Sequence, residues 1–126
     1  MNNIWNERYA GEDYHFGTEP NAFLAAQHQL LKPGMNCLAL ADGEGRNGVW
    51  LAGQGLQVLA VDSSPVALDK ARRLARQRGV VLEYELADLS AWAWPEQRFD
   101  VVAAIFIQFA PPGLREQMFA HIERSL

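Results

Sequence analysis

Cys37-Leu38-Ala39-Leu40-Ala41-Asp42-Gly43-Glu44-Gly45-Arg46-Asn47-Gly48 is an apolar run that ends in a glycine turn and passes into a helical pattern. The run lacks polar alternation, which predicts a strand buried on both faces of a parallel sheet. Gly43 and Gly45 let the backbone turn sharply and approach a ligand with no β-carbon in the way, while the helix that follows offers its unpaired amides. That helix runs from Arg46 to about Gln54, with Val49, Trp50 and Leu51 as its apolar contacts and Gly53 and Gly55 weakening its end. Gly43, Gly45 and Gly48 also spell Gly-x-Gly-x-x-Gly, a string that gains meaning only from its surroundings. Taken alone, it is equally a turn that binds nothing.

The surroundings repeat the alternation of strand and helix. Gln57-Val58-Leu59-Ala60-Val61 reads as a second strand that stops at Asp62-Ser63-Ser64-Pro65. Ser64 can cap a helix whose first position suits Pro65, and Ala67, Leu68, Ala71, Leu74 and Ala75 recur on one face until Gly79 ends it. Val80 to Leu86 is expected as a third strand, and Phe99 to Ile107 as a fourth, buried on both faces and broken by Pro111-Pro112. Leu114 to Leu126 reads as a last helix. Upstream, an apolar helical pattern at Phe23, Leu24, Leu30 and Leu31 closes at Pro33-Gly34. Right-handed crossovers then give an α/β fold, a doubly wound, Rossmann-like parallel sheet with strand order 3-2-1-4.

The 126 residues fit one domain, with 1–36 as an N-terminal lid or helix segment and 37–126 as the Rossmann-like core. Apolar residues at 49% and charged residues at 21% are ordinary globular usage and suggest neither a disordered chain nor a disulfide scaffold. A net charge of -4 argues against a general nucleic-acid binder, and the cluster Arg72, Arg73, Arg76 and Arg78 reads as a solvated helix face. Cys37 is the only cysteine, which excludes an internal disulfide and points to a reducing, cytoplasmic setting. No secretion signal or membrane-spanning run is legible.

In such a sheet a ligand sits beyond the carboxyl ends of the strands. Asp62 ends the second strand 19 positions after Gly43, near the spacing of ~20 at which an acid meets ribose hydroxyls. A helix cap by Asp62, Ser63 or Ser64 is the alternative, and Ser64 fills that role unaided. After the third strand, Ala87-Asp88-Leu89 pairs an acid with an apolar residue. That pairing suits an adenine, or it is an exposed turn near Trp92.

The sequence resembles class I S-adenosylmethionine-dependent methyltransferases, especially the small tellurite-resistance and thiopurine methyltransferase-like branch. The resemblance is carried by Trp5-Asn6-Glu7-Arg8-Tyr9, Gly17-Thr18-Glu19-Pro20-Asn21, Gly43-Glu44-Gly45-Arg46-Asn47, Ala60-Val61-Asp62-Ser63-Ser64, Ala87-Asp88-Leu89 and Phe99-Asp100-Val101-Val102. It implies S-adenosyl-L-methionine as cofactor, with Gly43 and Gly45 against the methionine portion, Asp62 and Ser63 at the ribose, Asp88 and Leu89 at adenine, and Ile105 beside the sulfonium. Many members carry an acid within the first strand and a glycine before the turn, where this chain has Ala39 and Ala41. Asp42 and Glu44 are then the carboxylates to meet the methionine amine, with Asn47 in the same loop. Members also continue past the last helix through three further strands, whereas this sequence ends at Arg124-Ser125-Leu126.

The implied activity is methyl transfer to a small-molecule acceptor, a thiol, chalcogenide or similar, by in-line displacement. Tyr14, His15, Phe16, Gln108 and Phe109 are the nearest lid or acceptor residues, and Trp5, Tyr9, Tyr14 and Phe16 are expected to order over bound cofactor. Ile107-Gln108-Phe109-Ala110 lacks the Asn/Asp-Pro-Pro-Tyr pattern of amino-methylating nucleic-acid enzymes. Two other readings stand beside this one: a nicotinamide-dependent oxidoreductase, and a non-catalytic cofactor-binding or interaction module. No metal and no catalytic base is assigned. A fourth strand left at the sheet edge, with no lysine or proline within Val101 to Ile107, predicts a homodimer through that strand or through the last helix.

Overall fold

The computed structural model describes residues 17–104 and 112–126. Along the chain run α1 (Ala22–Ala26), a 3-10 turn (His28–Leu30), β1 (Asn36–Leu40), α2 (Arg46–Gly53), β2 (Gln57–Asp62), α3 (Pro65–Arg78), β3 (Glu83–Leu86), β4 (Val101–Ala103) and α4 (Pro112–Ser125). The four strands form one parallel sheet in the order β3-β2-β1-β4. This is the Rossmann-like order expected of the sequence.

Local chemistry explains the best-defined helix. The Ser64 side chain accepts from Ala67 N at 3.1 Å, Pro65 opens α3, and Gly79 closes it in the left-handed region at φ 69°. Strand β1 is buried from Cys37 to Leu40 and β2 from Val58 to Asp62, as strands inside a parallel sheet must be. Cys37, Ala39, Val58, Ala60 and Ala103 face Leu24, Leu31, Leu51 and Leu56 on one side. Leu38, Leu40, Leu59 and Val61 face Phe99, Trp92, Trp94 and Ile122 on the other. Helices α2 and α3 pack through Val49, Leu74 and Ala75. Each fully buried leucine here contributes roughly 1.5–3 kcal/mol relative to exposure.

Three expectations are corrected. The helical pattern between Phe23 and Leu31 is a five-residue helix followed by a 3-10 turn, and Phe23 and Leu30 are exposed. Strand β3 begins at Glu83, because Val80 N donates to Ala75 O and belongs to the end of α3, while Val81 stands 91% exposed. Val101 and Val102 of β4 are only half-buried, since among the described strands β4 has one neighbour, β1. Ahead of β4, Gln97, Arg98 and Phe99 donate their amides to the carbonyls of Arg124 and Ser125, which ties the end of α4 to the face that carries Phe99. The remainder of the expected fourth strand, from Ile105, lies outside the described residues.

Candidate functional site

Three chain segments meet at the carboxyl ends of β1, β2 and β3. The turn after β1 bends at Ala41 (φ 49°), Gly43 (φ 61°) and Gly45 (φ 94°). Ala41 stands where many family members carry glycine, and its left-handed backbone gives that preference a physical reason. An L-residue there costs about 1–2 kcal/mol relative to the right-handed region.

Asp62, at the end of β2, holds this turn. Its Oδ2 accepts from Gly43 N at 2.8 Å and its Oδ1 from Ser64 N at 2.9 Å. The Ser63 amide bears on the same carboxyl, and since a carboxylate offers about four lone-pair sites, about one is left for a further donor. Burial pushes the Asp62 carboxyl above the usual range, against the Ser64, Gly43 and Ser63 amides that pull it down. Capping of α3 falls to Ser64, while Ser63 is exposed beside Asp62. The side chain that the sequence offered as ribose ligand or cap therefore ties two strand ends together.

Asp42 is buried in the same turn. Its Oδ1 accepts from Gly48 N at 2.9 Å, whereas Oδ2 has no hydrogen-bond partner among the described residues. A β-carbon on Gly48 would lie 2.5 Å from Oδ2, so the bare backbone of α2 makes room for this carboxyl. Burial raises the Asp42 pKa to about 7, with the charge of Asp62 adding to the rise and the Gly48 amide and Arg46 opposing it. The native chain binds this proton more tightly than the unfolded chain. Stability from this group is therefore present at low pH and is lost as pH climbs from 3.8 toward about 7.

The other loop residues serve the scaffold. Glu44, expected with Asp42 at the methionine amine, instead pairs with Lys70 of α3 at 2.8 Å, both side chains buried. Asn47 Oδ1 accepts from Asn21 N at 2.7 Å, and Asn21 in turn caps α1. Gly45 approaches α3, where a β-carbon would stand 2.6 Å from Ala71 Cβ. That closeness serves packing between the turn and the helix.

Asp88 lies in the turn after β3 and is exposed. Its Oδ1 accepts from the Ser90 amide at 2.9 Å and the Ser90 hydroxyl at 2.7 Å, which hold its pKa below the usual range. Leu89 is half-buried against the Trp92 and Trp94 face, and its carbonyl accepts from Trp94 Nε1 at 3.2 Å. The structure thus hydrogen-bonds Gly43 to Asp62 and sets the Asp42 carboxyl in the same turn, with β3 extended beside them by Ala87 N to Asp62 O at 3.0 Å. Trp5, Tyr9, Tyr14, His15, Phe16, Ile105, Gln108 and Phe109 lie outside the described residues.

Sequence reasoning overlooked Lys70, and it named Gly48 and Asn21 only as members of motifs, without these partners. Lys70 left a signal: it falls three residues after Ala67 and four before Leu74, inside the apolar stripe of α3, where an unpaired charge would be costly.

A parallel sheet of this order, with a glycine turn hooked to the acid that ends its second strand, defines a Rossmann-like cofactor-binding domain. A family model described as a methyltransferase domain matches residues 37–126, and the chain belongs to that S-adenosylmethionine-dependent methyltransferase family. Uncharacterised proteins of Mycobacterium bovis and Mycobacterium tuberculosis are 34% identical over 80 residues, a stretch covering 63% of this chain and 29% of theirs. A TehB-like SAM-dependent methyltransferase from Corynebacterium glutamicum is 26% identical with a TM-score of 0.67, over 98% of this chain and 63% of that one. A structure solved for the conversion of a disulfide bond into a thioacetal group during echinomycin biosynthesis is 28% identical with a TM-score of 0.77, over 97% of this chain and 54% of that one. The matched stretch thus spans less than a third of the mycobacterial relatives, and the chain covers 54% and 63% of these two solved structures. Family membership sets the nicotinamide reading aside. No helix among the described residues is long and apolar enough to cross a membrane.

Proposed function

We propose that this chain binds S-adenosylmethionine across the carboxyl ends of β1, β2 and β3 and serves methyl transfer to a small-molecule acceptor. The observation that carries the reading is the pair of buried carboxyls around Gly43, one held by backbone amides with acceptor capacity to spare and one with an oxygen that has no partner among the described residues. Asp62 suits a ribose hydroxyl, a charge-assisted bond contributing about 1.5–3 kcal/mol. Asp42 Oδ2 suits the methionine ammonium, which brings both a donor and the opposite charge. Gly43 keeps the backbone close to the methionine portion, and Asp88 with Leu89 serves the adenine.

When bound, the cofactor supplies the electrophilic methyl group; the protein's work is alignment and exclusion of water. A soft acceptor such as a thiol or chalcogenide needs no strong base. The likeness to the echinomycin protein, whose reaction begins at a disulfide, supports a sulfur acceptor. Cys37 is not the acceptor, because burial, aided by the charge of Asp42, pushes its thiol up to about 12.

S-adenosylhomocysteine at 100 times its dissociation constant is expected to add about 2.7 kcal/mol, a rise in Tm on the order of 10 °C for a domain of this size. Differential scanning calorimetry with S-adenosylhomocysteine and with NADH checks this. No shift with the first, or a larger one with the second, would remove the proposal.

The same proposal includes self-association. β4 is one of the two sheet edges among the described residues, and an apolar edge strand is a template for pairing. Sedimentation equilibrium of the 126-residue chain at micromolar concentration is expected to show a species above 14.1 kDa. A single monomer would show that α4, already tied to residues 97–99, protects the edge well enough.

A further inference from the structure

We propose that S-adenosylmethionine, bound as described above, expels a proton from Asp42 into solvent, so that cofactor affinity rises with pH across the neutral range. The inference rests on the proposed cofactor site and concerns its regulation. Its basis is the geometry of one carboxyl. Asp42 is 8% exposed, one oxygen is satisfied by Gly48 N, and the other has no partner among the described residues.

The groups that face it provide no countercharge strong enough to hold it ionised. From β2 comes the Asp62 carboxyl, a like charge, and from α2 comes Arg46, which favours the anion but opposes burial only in part. From β1 and β3 come the Cys37 thiol and the Tyr84 hydroxyl, both pushed up to about 12 by burial and then by the charge of Asp42. Arg72 sits over the Tyr84 ring at 5.2 Å. On α3, the Lys70 ammonium is already engaged with Glu44 at 2.8 Å. Burial therefore leaves Asp42 with a pKa of about 7, protonated in about half the free molecules at neutral pH.

The ligand's ammonium changes that balance. It offers an N–H to Oδ2 and a positive charge at contact distance, and both favour the carboxylate. Binding then reads as neutral Asp42 plus cationic ligand giving carboxylate, bound cation and one proton, which goes to the buffer. With a free pKa near 7 and a bound one well below 6, affinity gains about tenfold between pH 6 and pH 8.

Isothermal titration of S-adenosylhomocysteine in two buffers of different ionisation enthalpy counts the proton. Release of nearly one proton at pH 6 and almost none at pH 8 is expected, with a dissociation constant about tenfold smaller at pH 8. Asp42→Asn is expected to abolish the release and flatten the pH dependence. Should that variant misfold, the carboxyl carbon shift of Asp42 in the parent chain, titrated with and without ligand, reads the same proton. Binding without proton release, or affinity that falls with pH because a neutral Asp42 donates to the ligand's carboxylate, would overturn the inference and leave the cofactor site standing. Absence of binding at every pH would overturn both.

Discussion

Asp62→Ala is expected to weaken S-adenosylhomocysteine binding at least ~10-fold and to destabilise the ligand-free chain by roughly 2–4 kcal/mol. The affinity loss follows from one charge-assisted bond, whose ~1.5 kcal/mol already amounts to about a factor of ten. The stability loss has a separate origin. Without the carboxylate, Gly43 N and Ser64 N lose their acceptors at 2.8 and 2.9 Å inside a buried turn, and an unsatisfied buried donor costs about 1–3 kcal/mol. Burial raises the Asp62 pKa, so removing the carboxyl also relieves a desolvation cost and keeps the net effect below the sum of two lost bonds. Asp62→Asn separates the effects, since the amide oxygen can still serve one of the two amides while the charge is gone. Calorimetric affinity and urea unfolding check both. Parent-like affinity in Asp62→Ala would place the ribose elsewhere.

The features that the sequence made legible are those written in local chemistry. Ser64, Pro65 and Gly79 bound α3 because a cap, a fixed φ and a left-handed stop each act within a few residues. Buried strands β1 and β2 are legible for the same reason: an apolar run without alternation has few other uses. The third strand was read three residues too early because Val80, Val81 and Leu82 look like a strand, while hydrogen bonding assigns Val80 to the end of α3. Burial of β4 on both faces needed neighbours that a sequence window cannot count.

Within the site, residue types were legible and their partners were not. Glu44 finds Lys70, and Asn47 finds Asn21, each 26 positions away, and no local pattern announces such a pair. The pairing divides the labour among the loop's polar residues. Glu44 and Asn47 spend hydrogen bonds on α3 and on the start of α1, and among the described residues Asp42 alone keeps a buried side-chain oxygen without a partner. Under the proposed function, the acid missing from position 39 of β1 is replaced by one three residues later, held against the first turn of α2 where Gly48 leaves space.

Gly45→Ala is expected to cost about 3 kcal/mol or more, from two independent sources. The residue caps α2 at φ 94°, a backbone region that an alanine enters at a cost of about 1–2 kcal/mol. The new methyl group would also stand 2.6 Å from Ala71 Cβ and 2.9 Å from Ala71 Cα. Neither atom can rotate away, so α3 must shift, and overpacking of this kind costs typically ~1–3 kcal/mol. The shift bears on the site, because Lys70 precedes Ala71 on α3 and grips Glu44 in the turn that carries Asp42 and Gly43. Weaker S-adenosylhomocysteine binding is therefore expected alongside the loss of stability. Ala71→Gly separates the two sources: it removes the closer atom, leaves the backbone φ of position 45 untouched, and by itself costs about 1 kcal/mol of helix propensity. In a double-mutant cycle by urea unfolding, Gly45→Ala with Ala71→Gly is expected to be at least ~1 kcal/mol more stable than additivity allows. Strict additivity would assign the whole cost to φ, and the close approach of turn to helix would then carry no energy of its own.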